Sequence, residues 1–110
     1  MPINSRAKGA RGELEFAALL KSHGFEARRG QQFSGGGESP DVVSNVPGVH
    51  WEVKRVEAGN PYVWLKQACR DCMENIGVMP VVAHRRSNEN WMAILPMEAF
   101  LDLVKKANEL

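Results

Sequence analysis

The sequence predicts an α/β fold, with helices flanking a central mixed β-sheet in a single domain. Three observations predict it. Segments with helical spacing of apolar residues alternate with short runs of strand character, in the order α-β-β-β-α-β-β-α. The 110 residues suit one core and no more. The 44% hydrophobic and 25% charged content is that of an ordinary globular chain, without internal repeats, linkers or low-complexity segments.

Each element has a local reason. Residues 1–4 are expected to be a loose end, with Ser5 as a helix N-cap. Residues 6–23 have helical spacing, and Gly24 is a natural stop. Ala10, Leu14, Ala17 and Leu20 define the apolar stripe of that helix. Glu13 falls inside the stripe, whereas Glu15 points to the opposite side. A lone acid on a buried face is costly unless it is paired or lies near a metal. Lys21 also lies close to the stripe, but near the helix end it can reach water.

Residues 25–29 are expected to form a short strand. The loop at 30–40 contains Gly35, Gly36 and Gly37, which either let the backbone approach another molecule closely or simply connect two strands. Residues 41–44 and 49–55 are strands, joined by a turn that Pro47-Gly48 marks, and they predict an antiparallel hairpin. After a loop at 56–61 comes a helix over 62–75, ending before Gly77. Strands at 79–85 and 91–95 flank a turn at 87–90. An amphipathic helix over 97–108 carries Phe100, Leu101 and Val104 as apolar positions.

Net charge is +1, so composition does not announce a nucleic-acid partner. The charge is unevenly placed, with six Lys/Arg against three Glu over residues 1–29 and two against four acids over 30–60. The basic pairs Arg28-Arg29, Lys54-Arg55 and Arg85-Arg86 fit either a basic rim around an acidic centre or a scattered, solvated surface. Cys69 and Cys72 fall in a helical stretch, with no second close pair of ligands among His23, His50 and His84. Free thiols in a reducing compartment are the expectation, rather than zinc or redox chemistry. No apolar run spans a bilayer and no secretory signal is evident, so the expected location is the cytoplasm, that of the host cell if the chain is phage-encoded.

The chemistry concentrates at Trp51-Glu52-Val53-Lys54-Arg55. On a strand Trp51 and Val53 point one way, and His50, Glu52 and Lys54 the other. In the antiparallel hairpin Asp41 starts one strand while Glu52 lies toward the end of the other, which makes the two carboxylates neighbours. Phosphodiester hydrolysis needs an activated water and a stabilised anionic transition state, and a divalent metal supplies both. Magnesium takes hard oxygen ligands, commonly one or two carboxylates. Asp41 and Glu52 offer those carboxylates and the Val53 carbonyl a third oxygen. Lys54 would orient the attacking water or offset charge on the phosphate, and Glu13 would hold a water at the edge of the site. The rival reading is an ordinary surface ion pair of Glu52 and Lys54, with Asp41 capping a strand. Trp51, Trp64 and Trp91 suit base stacking or core packing.

Pro40-Asp41 followed by Glu52-Val53-Lys54 resembles the PD-(D/E)XK nuclease signature. Within that superfamily the chain resembles the archaeal-type Holliday-junction resolvases and their phage relatives over roughly residues 6–95, through Lys8-Gly9…Gly12-Glu13, His23-Gly24-Phe25 and the Ser34-Gly35 loop. The resemblance implies a restriction-endonuclease-like core and a homodimer that cuts branched DNA with Mg2+, for which Mn2+ can substitute. It implies catalytic roles for Glu13, Asp41, Glu52 and Lys54, with metal bound by Asp41, Glu52 and Val53. It adds a serine at the cleaved phosphate, Ser34 with Ser39 as competitor, and Gln67 on the following helix. DNA contacts are expected from Arg6, Lys8, Arg11 and Arg29, and from Ser34, Gly35 and Arg55. The rivals are another nuclease of the same superfamily, of nicking or repair type, and a non-catalytic DNA-binding module. Carboxylates placed near phosphates repel them without a metal, which argues against the pure binder.

Overall fold

The computed structural model describes residues 5–30, 40–72 and 77–109, with side chains from residue 9 onward. Eight elements follow in the expected order: α1 Ser5–Ser22, β1 Ala27–Arg29, β2 Val42–Ser44, β3 Val49–Arg55, α2 Pro61–Asp71, β4 Met79–Arg85, β5 Met92–Ile94 and α3 Met97–Ala107. The expected loose end at 1–4 and the glycine-rich part of the loop at 31–39 lie outside the described residues, as does the end of the second helix at 73–76.

The five strands form one sheet in the order β1-β2-β3-β4-β5. The expected hairpin is there: β2 runs antiparallel to β3, with Val42 opposite Trp51. β3 and β4 are parallel along their whole length, from Val49 opposite Met79 to Arg55 opposite Arg85. Parallel neighbours need a crossover, and α2 supplies it. The outer pairs, β1 with β2 and β4 with β5, are antiparallel. No helix among the described residues is long and apolar enough to cross a membrane.

Strand alternation divides the core in two. Ala83 on β4 faces α1, in a cluster with Phe16, Ala17, Leu20 and Val42. Val82, one residue earlier, faces α2 in a cluster with Trp64 and Ala68. Phe16 is the hub of the first cluster, with its ring centroid 4.8 Å from that of Trp51 and 5.1 Å from that of Trp91. Trp64 lies against His84 on the other face, 4.8 Å between centroids. All three tryptophans therefore pack inside the fold.

The apolar stripe of α1 differs from the expected one. Leu14 is 57% exposed, and Phe16, at 4%, takes the sheet-facing place. With 3.6 residues per turn, Glu13, Phe16, Ala17 and Leu20 share one face, which turns Leu14 outward. Glu15 is not on a free side either: it meets Arg55 and Arg85. Strands β1, β2 and β5 are shorter than expected, and at β1 backbone groups are used elsewhere. The Phe25 N–H closes the end of α1 on the Leu20 carbonyl, and the Glu26 N–H goes to Asn45 Oδ1. α2 begins one residue early, with Pro61 at its first position and the Asn60 side chain capping the Tyr62 N–H. No residue of α3 is buried, so the apolar side chains Met97, Phe100, Leu101 and Leu103 stay exposed in the single chain.

Phe16→Ala should lower unfolding free energy by about 3–5 kcal/mol, whereas Leu14→Ala should stay within about 0.5 kcal/mol of wild type. Urea unfolding midpoints check this, and equal losses would contradict the assigned face of α1.

Candidate metal centre

β3 carries most of the candidate side chains, and its pleat sorts them. Trp51 and Val53 pack toward α1. His50 and Glu52 are on the α2 side and buried, at 3% and 5% exposure. Lys54 follows on that side with its Nζ 3.7 Å from Glu52 Oε1. The pair is not an ordinary surface one, because the Glu52 carboxyl is shut away from water while Lys54 remains partly open.

Asp41 arrives from the neighbouring strand. Its N–H donates to the Trp51 carbonyl at 2.9 Å, one step past the last β2–β3 pair. The Asp41 side chain then turns along β3, and Oδ2 accepts the Val53 N–H at 2.8 Å. The N–H and C=O of one strand residue point to the same side, so the Val53 carbonyl opens toward the same gap. Gly30 makes the approach possible. Its N–H donates to the Asp41 carbonyl at 2.9 Å, and a Cβ there would lie 2.0 Å from the Pro40 carbonyl oxygen.

Glu13 reaches the gap from α1, which comes close because a Cβ on Gly12 would sit 2.5 Å from the Arg55 Cβ. Arg29 Nε donates to Glu13 Oε2 at 2.5 Å. Burial pushes the Glu13 carboxyl up, the Arg29 hydrogen bond pulls it back, and the Asp41 charge adds to the rise. The Asp41 charge also acts on Glu52 and His50, so the three β-strand side chains share one electrostatic neighbourhood. Glu52 responds most. Burial first, then Asp41, push it up to about 7, against the pull of Lys54 and with a further push from Asp71. Burial holds His50 below its ordinary value, which favours the neutral ring.

The arrangement thus gathers Asp41, Glu52, Lys54 and the Val53 backbone, with Glu13 and Arg29 at its margin. Its donors are hard oxygens in a place where carboxylates repel one another, and that fits a divalent cation such as Mg2+. Other expected residues are placed differently. Arg55, expected to contact DNA, has its Nη1 3.1 Å from Glu57 Oε2 and its Nε 3.4 Å from Glu15 Oε1. Its guanidinium is thus shared with two of this chain's own acids. Arg29 is divided between Glu13 and solvent, and Arg11 is exposed. Arg6 and Lys8 lie on the first turns of α1, but their side chains are outside the described set, as are Ser34, Gly35 and Ser39. Gln67 is half-buried on α2.

One residue here escaped the sequence reading. Asp71, at the end of α2, joins His50 and Glu52, with one donor atom from each lying within 4.8 Å of the others. The signal was available: Trp64, Ala68 and Asp71 follow helical spacing, and His50 precedes Glu52 by two on the strand.

The sheet order and the crossover define an α/β domain with a five-stranded mixed sheet. The chain is similar in particular to Hjc, a Holliday junction resolvase from the archaeal hyperthermophile Archaeoglobus fulgidus, with a TM-score of 0.57 and 23% sequence identity over 77% of this chain and 74% of that one. At that identity the likeness is one of fold. No protein-family model matches the chain, and no curated protein sequence does.

Glu52 binds its proton more tightly when folded, at about 7 against 4.5 for the free side chain. Without metal, its contribution to stability should therefore be fully present below about pH 4.5 and be lost as pH rises through about 7, by on the order of 3 kcal/mol. Urea unfolding in chelator at about pH 5 and about pH 8 should show that loss in wild type and a smaller one in Glu52→Gln. Equal pH dependence in both would mean that Glu52 titrates as an ordinary acid.

Proposed function

We propose that this protein is a metal-dependent DNA endonuclease of the PD-(D/E)XK superfamily, and that its substrate is branched DNA, above all the four-way junction. The observation that carries the reading is that the Asp41 charge acts on buried Glu52 where the β2–β3 ladder ends, with Lys54 on the Glu52 side. The fold shared with an archaeal Holliday junction resolvase supports the substrate class. The whole chain would then serve as one nuclease domain.

Asp41, Glu52 and the Val53 carbonyl would hold the ion, Mg2+ with Mn2+ as substitute. When bound, such an ion lowers the pKa of water and offsets the charge of the transition state. Lys54 would orient the attacking water or lie against the phosphate oxygens. Glu13, itself fixed by Arg29, accepts a hydrogen bond from water at the edge of the site. Asp41 takes its place through the Val53 N–H, so it needs no rearrangement to bind. Burial of Glu52 keeps the site poor in water, where fixed charges act most strongly. Arg11 and the open part of Arg29 would meet the DNA backbone, with Arg6 and Lys8 further along α1. Ser34 or Ser39 at the cleaved phosphate, and Gln67, remain part of the proposal by resemblance. A homodimer would present two such sites, one for each strand, and the exposed apolar residues of α3 are of the kind that an interface covers.

Labelled four-way junction, linear duplex and single strand are incubated with Mg2+ and wild-type or Asp41→Ala protein. The junction should be cut in preference to the others, and Asp41→Ala should reduce cutting by about 100-fold or more. Equal cutting by both proteins would sink the site. Equal cutting of all three substrates would leave a nuclease of another type. Junction binding without cutting under any metal would favour a non-catalytic binding module.

A further inference from the structure

The α2-facing side of β3 holds more than the nuclease reading uses. His50 is 3% exposed, and its Nε2 has no hydrogen-bond partner among the described residues. A buried polar atom left without a partner costs free energy, so native structures rarely keep one without a reason. Two carboxylates lie beside the ring. Asp71 and Glu52 each bring an oxygen within 4.8 Å of a His50 nitrogen and of one another. Lys54 is the cation at hand for this group, 3.7 Å from Glu52.

The position of Asp71 sharpens the point. It is the last residue of α2. The C-terminal end of a helix carries partial negative charge, so an acid there is disfavoured unless a cation sits beside it. A buried imidazole nitrogen without a partner, flanked by two carboxylates, is a metal-ligand set.

We infer that His50, Glu52 and Asp71 form a second cation site, which takes a transition-metal ion such as Zn2+ or Co2+ in preference to Mg2+. The selectivity follows from the imidazole nitrogen, because Mg2+ demands oxygen donors and sheds water reluctantly. Bonds of about 2.1 Å set donor separations near 3–4 Å, so the three side chains close by about 1 Å around the ion. The ion ties the end of α2 to the middle of β3. Glu52 belongs to both sites, and only this sharing rests on the nuclease reading. A transition metal bound here draws the Glu52 carboxylate toward Asp71 and away from Asp41. Zn2+ therefore inhibits any Mg2+-dependent cutting, and the inhibition depends on Asp71.

The test is direct binding of Co2+, read from its visible d–d absorption, and of Zn2+ by calorimetry, both without DNA. Wild type should bind one ion, and His50→Ala should weaken it at least tenfold. Asp71→Asn, which keeps shape at a half-buried position, should do the same and serves if His50→Ala fails to fold. Asp41→Asn should weaken binding less than Asp71→Asn does, because Asp41 acts on the site only through its charge. A wild type that binds no Co2+, or an affinity unchanged in both His50→Ala and Asp71→Asn, overturns the site. A loss in Asp41→Asn as large as in Asp71→Asn also overturns it, because the ion would then sit in the Asp41 site. Retained Co2+ binding in a protein that cuts no DNA leaves this site standing while removing the nuclease reading.

Discussion

Glu52 has to remain buried beside Asp41, and much of the structure around it follows from that constraint. Two carboxylates in a place closed to water repel each other and resist ionisation, as the rise of Glu52 to about 7 expresses. The fold accepts this cost rather than avoiding it. It fixes Asp41 by a backbone donor, the Val53 N–H, which is available because the β2–β3 ladder has just ended. It places Lys54 on the same side of the strand as partial compensation. A site assembled this way is oriented before any ion arrives, and its remaining charge is what a cation would answer.

The approach of α1 depends on absent side chains. Gly12 lets the helix lie against β3 at Arg55, and Gly30 lets the end of β1 pass Pro40. Without these two contacts Glu13 and Asp41 would stand further from Glu52. The basic residues nearby serve this framework first. Arg29 holds Glu13, and Arg55 joins Glu15 to Glu57 across α1, β3 and the turn that follows. Arg85 also meets Glu15, so the basic pairs of the sequence are divided between internal ion pairs and solvent.

Where the sequence was legible, one short-range rule dominated. The strands Val49–Arg55 and Met79–Arg85 match their expected bounds, because each is a long run of strand formers closed by turn residues. The hairpin was legible from Pro47-Gly48, and with it the neighbourhood of Asp41 and Glu52. Leu14 misled because it follows Ala10 by four residues and precedes Ala17 by three, the spacing of one helix face. The choice between it and Phe16 was made by Trp51 and Trp91, which form an aromatic pocket on the sheet. The strands β1, β2 and β5 came out at three residues each, and before β1 the Phe25 and Glu26 N–H groups go to the end of α1 and to Asn45 Oδ1 instead of the ladder.

By itself the sequence determined the order of elements, the face of β3 on which Glu52 and Lys54 lie, and the pairing that sets Asp41 beside them. These depend on residue period and turn chemistry, which are local. Only the tertiary structure decided that Glu52 is buried, that Arg55 is held by Glu15 and Glu57, and that Asp71 stands over His50. Asp71 is nineteen residues beyond Glu52, and their meeting depends on how far the α2 crossover carries the chain back over the parallel pair β3–β4. Burial and long-range charge are properties of that packing, and no spacing along the chain encodes them.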